Sequence, residues 1–225
     1  MNILAIIPAR KNSKRIKNKN KIVLNKKKLI EHTFLVANKS KQFNQILLTT
    51  DDKDIIKLSK KYNILAPWIR PKSLSGDLVP SQKTIIHAYN WYKKKFGEVD
   101  GIFILQPTSP FRKSKTIKDM IKIFKKNYKQ SVISLSQCDE HPEWMIKLKN
   151  NKAMPYMSKK YFTKRSQTLK KLYRINGLGY LINPYILKKE KTLVPKNFIP
   201  YISSSKIENL DIDDEQDYIL AKKYI

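Results

Sequence analysis

Cysteine is almost missing from this 225-residue chain: Cys138 stands alone, which excludes an internal disulfide and a cysteine-built zinc site. Histidine occurs only at His32, His87 and His141, with no H-E-x-x-H spacing, and no Ser-His-Asp or Cys-His arrangement competes for a catalytic role. No apolar run approaches the roughly 20 residues of a membrane-spanning helix, and Met1 leads into a strand-like run with no n-region or cleavage site. A soluble, cytoplasmic protein without a membrane partner is expected. Acidic residues are also scarce, 18 against 47 lysines and arginines, for a formal net charge of +29. Such a charge invites a nucleic-acid reading. The lysines, however, are scattered through LNKKK, YKKKF, IFKKNYK and LKKEK instead of forming one stripe. They read as ordinary surface residues that steer anionic substrates, with no specific nucleic acid implied.

What is present begins with the first twenty residues, MNILAIIPARKNSKRIKNKN. The apolar run Ile3 to Pro8 reads as a buried strand that empties into a basic, polar loop holding Arg10, Asn12, Ser13, Lys14, Arg15, Lys19 and Asn20. Cations and amide donors at a sheet edge can hold phosphates. The loop lacks the glycines of a P-loop or of G-x-G-x-x-G, so on its own it is equally a solvated connection.

The length and a hydrophobic fraction of 41% fit one α/β domain, with room for a small extra lobe. Helical spacing over Leu29 to Lys41, a short strand at Gln45 to Thr50, and a helical run over Lys53 to Tyr62 follow the loop. Asp51 and Asp52, just ahead of that third run, are expected to cap it before they are expected to bind metal. Arg70 lies in the loop APWIRPKSLSGD, next to Pro71. A helix is expected over Ser81 to Lys95 and a central strand over Asp100 to Leu105. That strand runs into Gln106-Pro107-Thr108-Ser109-Pro110-Phe111-Arg112, which two prolines make a rigid loop. A helix over Lys115 to Asn127 and a strand over Ser131 to Leu135 continue the alternation. Alternation of this kind implies a mostly parallel sheet that binds ligands beyond the carboxyl ends of its strands.

From Cys138 to Arg174 the pattern breaks into a polar, aromatic excursion, with Trp144, Met145, Tyr156 and Phe162 expected on its surface. A strand-like stretch returns at Gly179 to Asn183. Near the end, IENLDIDDEQD is the one acidic cluster, followed by a short helix. On an extended segment, Asp211 and Asp213 project to one face, a geometry for a magnesium-like cation that also takes phosphate and water ligands. Capping of the last helix by Asp213, Asp214 or Glu215 is the alternative, and the two can coexist. A cationic loop, a rigid polar loop and a carboxylate pair are the parts of phosphoryl chemistry.

The run IPARKNSKRIKNKN resembles the first motif of the acylneuraminate cytidylyltransferases, the CMP-sialic acid synthetase family. TTDD at 49 to 52, Arg70-Pro71, LQPTSPFR at 105 to 112, RSQ with YRING at 165 to 177 and DID at 211 to 213 follow in the family's order. The resemblance spans the chain as a single domain, 1–225. It implies a Rossmann-like nucleotidyltransferase fold and a homodimer in which the lobe 138–174 reaches over the neighbour's site. The implied reaction joins CTP to a nonulosonic acid, a nine-carbon sugar acid of the sialic or legionaminic type, giving the CMP-sugar and pyrophosphate. Carried over by motif, Arg10, Asn12, Ser13, Lys19, Asn20 and Arg70 bind the nucleotide. Gln106, Tyr180 and Arg165 face the sugar, Asp211 and Asp213 hold magnesium, and Lys19, Gln106 and Asp213 are catalytic. Departures occur at Lys11 and Asn12, where many members have glycines, and at Lys170 and Leu178, which bear on the sugar side. The alternatives are another nucleoside triphosphate, a pseudaminic or Kdo-type acid, or a basic nucleic-acid-binding protein.

Overall fold

The computed structural model describes residues 1–127, 130–158 and 165–225. The chain order is β1 (Ile3–Ala9), β2 (Val23–Leu24), β3 (Lys27–Lys28), α1 (Leu29–Ser40), β4 (Gln45–Thr50), α2 (Lys53–Lys60), α3 (Ser81–Phe96), β5 (Gly101–Ile104), α4 (Ser114–Lys126) and β6 (Ser131–Gln137). There follow β7 (Ile146–Lys149), β8 (Lys152–Pro155), β9 (Tyr173–Ile182), α5 (Pro184–Glu190), β10 (Phe198–Ile202) and α6 (Glu215–Lys222). Each expected strand and helix is present within a few residues of its expected ends, apart from the strand at Gly179, which is much longer.

Six strands form the central sheet in the order β10-β6-β9-β5-β1-β4. β1 is parallel to β4 and β5, and β10 is parallel to β6. β9 runs antiparallel between β5 and β6, so the sheet is mostly parallel with one reversed strand. Side-chain alternation divides the core. Ile3, Ala5 and Ile7 face α1 and α4 with Phe34, Met120 and Phe124, while Leu4 and Ile6 face α3 and α5 with Ile85, Tyr89 and Leu187. Both faces of β1 are therefore buried, which is why its sequence is a continuous apolar run.

A third apolar cluster fixes the site. Ile16 of the first loop and Leu24 of β2 pack with Leu29, with Ile212 and with Ala221 of α6. Ile212 is fully buried there and donates its N–H to the Thr108 carbonyl at 2.8 Å. Burying Ile212 turns its two neighbours, Asp211 and Asp213, the other way.

The 138–172 excursion leaves the sheet after β6 and returns at β9. Its ends are tied side by side, with Gln137 paired to Tyr173 and the Cys138 N–H donating to the Leu172 carbonyl at 2.9 Å. β7 and β8 form a separate hairpin in it. Trp144, Met145 and Tyr156 are exposed, as expected, and Phe162 lies outside the described residues. Tyr173 and Arg174, read from sequence as the end of the excursion, belong to β9.

Glu31 in the first turn of α1 accepts the Lys28 N–H at 2.6 Å and, with its other oxygen, the Tyr62 hydroxyl at 2.6 Å. The hydrogen bond to Glu31, reinforced by burial, pushes the Tyr62 pKa up to about 12. The neutral phenol is thus favoured by folding. Its contribution is complete below pH ~10, the free tyrosine value, and is lost as pH rises towards about 12. Tyr62→Phe is expected to remove a late-titrating tyrosine from an ultraviolet pH titration and to flatten the fall in stability over that window.

Candidate active site

Beyond the carboxyl ends of β1, β4 and β5 lies a cavity of about 620 Å³. Its walls are the first loop (Arg10, Ser13, Lys14, Arg15, Lys19, Asn20), Arg70, the segment 74–79, Gln106 to Thr108, and the pair Asp211 and Asp213. Segments almost two hundred residues apart in sequence meet here.

Lys19, largely buried, places Nζ 2.8 Å from Asp213 Oδ1, and Arg15 Nη2 lies 3.0 Å from Asp213 Oδ2. Burial pushes the Asp213 carboxyl up, but Lys19 and Arg15 more than offset this and hold it below the ordinary value. Asp211 goes the other way. Burial raises it, Asp213 adds to the rise, and a hydrogen bond with Thr108 opposes it. A carboxylate disfavoured by desolvation beside a second carboxylate is a place where added positive charge is stabilising. Among the described residues no group of three or more His, Cys, Asp or Glu side chains could hold a metal ion, so a cation here would have Asp211 and Asp213 as its protein carboxylates. That donor set fits magnesium, which takes one or two carboxylates and completes its shell with phosphate and water. Helix capping is handled separately: Asp214 accepts the Asp217 N–H at 3.0 Å, and Asp217 accepts from Asp213 and Asp214 in return.

The first loop is held from behind. Asp51 accepts the Lys11 N–H at 2.7 Å, and the Asn20 side-chain amide donates to the Arg10 carbonyl at 3.0 Å. Asp52 caps α2 through the Asp54 N–H at 2.9 Å and pairs with Lys21 at 3.0 Å, as its place before a helix predicted. Arg70 is buried, donating from Nε to the Thr49 hydroxyl at 3.2 Å and from Nη2 to the Thr49 carbonyl. Burial lowers its pKa to about 10, so it remains cationic at neutral pH, and Asp51 favours the charge.

The rigid loop after β5 is fastened by Arg112. Its Nη2 donates to the Gln106 carbonyl at 2.8 Å and its Nε to the Leu178 carbonyl, binding the Gln106 loop to the irregular middle of β9 around Gly177. Desolvation lowers the Arg112 pKa to about 10, while Asp211 and Glu208 favour its charge. Gly177 has φ +76°, and a Cβ there would stand 2.8 Å from Gln106 Oε1 and 3.6 Å from Asp211 Oδ2. Gln106, Gly177 and Asp211 therefore converge.

Of the residues singled out in the sequence, Arg10, Ser13, Lys19, Asn20, Arg70, Gln106, Asp211 and Asp213 share this cavity. Asn12 and Arg165 are exposed and outside its lining, and Tyr180 packs against the core on the α3 face, raised by burial and by the charge of Asp211. A second polar hollow of about 680 Å³ adjoins on the far side of Asp211 and Asp213 and includes Ser136, Arg174, Ser203 and Lys206. Sequence reasoning missed Asp77, Arg112 as a fastener, and this hollow. Asp77 lies in a proline-bounded loop without periodicity, and only the prolines hinted that the segment is fixed.

A mostly parallel sheet with cations and a carboxylate pair at one rim is an arrangement suited to nucleotidyl transfer. Across residues 4–213 the chain matches the model of the cytidylyltransferase family, and it belongs to that family of enzymes. It is 32% identical over 225 residues to the CMP-N,N'-diacetyllegionaminic acid synthase of Legionella pneumophila, covering 99% of this chain and 96% of that one. It is 30% identical over 221 residues to the N-acylneuraminate cytidylyltransferase of Escherichia coli O18:K1:H7, covering 97% of this chain and 51% of that longer protein. The fold is also that of CMP:2-keto-3-deoxy-manno-octonic acid synthetase, solved as a complex with CTP, at TM-score 0.70, 13% identity and coverage of 100% and 98%.

Proposed function

We propose that this cytidylyltransferase activates a nonulosonic acid of the legionaminic or sialic type with CTP, releasing pyrophosphate. The observation that carries the reading is the meeting of Lys19 and Arg15 with Asp213, beside Asp211 and Gln106, in one cavity of nucleotide size. The activities named for the Legionella and E. coli relatives support the same reaction.

In this reading Arg10, Ser13, Lys14, Lys19, Asn20 and Arg70 grip the nucleotide, with Asn12 at the loop's outer side. The sugar acid takes the neighbouring hollow, where the hydroxyls of Ser136 and Ser203 and the cation of Arg174 suit a polyhydroxy acid, with its reacting end towards Gln106 of the first cavity; Tyr180, packed against the core, would act from behind. The anomeric oxygen bonds to the α-phosphorus as the bond to the β-phosphate oxygen breaks, and pyrophosphate leaves. Lys19 offsets charge building on the α-phosphate oxygens. The hydroxyl proton goes to a base at the Asp211 and Asp213 pair. Magnesium, held by those two carboxylates, would supply charge neutralisation for the same oxygens.

The assembly proposed is a homodimer in the cytoplasm. Trp144, Met145, Ile146, Leu148 and Tyr156 are exposed apolar side chains of the lobe that follows β6, which supports its packing on a second copy; in that assembly Arg165 would serve the other copy's sugar carboxylate. Among the described residues no helix is long and apolar enough to cross a membrane.

The test is pyrophosphate release with magnesium, each of the four nucleoside triphosphates, and a panel of legionaminic, sialic, pseudaminic and Kdo-type acids. Turnover is expected with CTP and a legionaminic or sialic acid. No turnover with CTP, or preference for another nucleotide, would defeat the assignment.

A further inference from the structure

Two carboxylates, not one, occupy the cations of the first loop. Asp213 holds Arg15 and Lys19; on the opposite wall of the cavity Asp77 holds Arg10 through Oδ1 and Lys14 through Oδ2, the latter at 3.1 Å. Asp77 belongs to the segment between Pro71 and Pro80 that leads into α3, and this segment lies along the cavity wall, with Leu78 beside it 95% exposed. Arg10 is anchored by its backbone, through the Asn20 amide, so its side chain can change partner without moving the loop.

The pairs at Asp77 are poor candidates for holding the fold together. The side chains of Arg10, Lys14 and Asp77 are 34%, 74% and 32% exposed, and ion pairs with such access to water contribute little to folding. A contact that weak, at the mouth of an anion site, exchanges readily for a stronger anion. We propose that Asp77 is a displaceable counter-ion: it yields Arg10 and Lys14 to the phosphates of the incoming nucleotide and retakes them as pyrophosphate leaves, which weakens retention of that product. The inference rests on the reading that this loop grips phosphates, and it assigns to Asp77 a role in product release instead of in binding.

The experiment is calorimetric titration of inorganic pyrophosphate, without divalent cation, into the wild type, Asp77→Asn and Glu98→Gln. Glu98 pairs with Lys93 where the chain enters β5, at the opposite end of the sheet from the cavity, so its variant makes the same change in net charge away from the cations. Asp77→Asn is expected to bind pyrophosphate about threefold or more tightly, with Glu98→Gln like the wild type and all three proteins melting alike. Unchanged or weaker binding in Asp77→Asn, equal tightening in Glu98→Gln, or no binding to any of the three would overturn the role. Wild-type synthesis from CTP is scored separately. Synthesis without tightening sinks only the counter-ion, whereas absence of synthesis sinks the function beneath it.

Discussion

Asp213→Asn is expected to lower synthesis of the CMP-sugar by about a thousandfold or more, equivalent to some 4 kcal/mol of transition-state stabilisation. The substitution removes a carboxylate that two cations approach at 2.8 and 3.0 Å, while its backbone N–H keeps Asp217 as acceptor. Asp213 itself is partly exposed, and the asparagine amide oxygen can still accept from the largely buried Lys19, so the melting temperature should move by only a few degrees. Pyrophosphate release under saturating CTP, sugar acid and magnesium measures the first effect, and far-UV circular dichroism on heating measures the second. Activity close to wild type would remove the metal assignment from the Asp211 and Asp213 pair.

The second large effect is expected at Gly177, on the sugar side. Its φ of +76° disfavours any side chain, at roughly 1–2 kcal/mol for alanine. The added methyl would also stand 2.8 Å from Gln106 Oε1, too close to be tolerated, so the Gln106 side chain must swing away from Asp211. Gly177→Ala should therefore reduce kcat/KM for the sugar acid by about a hundredfold and leave the KM for CTP much less affected, because Arg10, Lys19 and Arg70 sit on other segments. Steady-state kinetics with each substrate varied in turn separates these effects. An unaltered kcat/KM for the acid would detach Gln106 from the sugar.

Much of this site was legible because its parts obey short-range rules. β1 is apolar on both faces and ends one residue past Pro8, so the strand and its cationic loop can be read directly. The spacing of Asp211 and Asp213 around Ile212 follows strand alternation, and burial of Ile212 in the third cluster enforces it. Asp52 caps α2 where a carboxylate before a helix should. Pairing partners were not legible in the same way. The expected strand at Gly179 begins at Tyr173, because its first residues pair with the end of β6 despite being exposed. Its antiparallel placement between β5 and β6 depends on contacts about forty to eighty residues away. β10 and α5 had too little periodicity to be expected, and α5 is defined mainly by its cap, Asn183, followed by Pro184. Asp77 reaches its partners across 67 residues, and no local pattern announces that.

Reversal of β9 has one more outcome. Because the chain exits β6 and re-enters β9 through neighbouring hydrogen-bonded residues, the stretch between them closes on itself at the rim. Lengthening such a closed stretch is cheap, about 0.6 kcal/mol per doubling, and leaves every core contact of the two strands in place. A change in length there therefore leaves the nucleotide half, threaded through three separate parts of the chain, where it is.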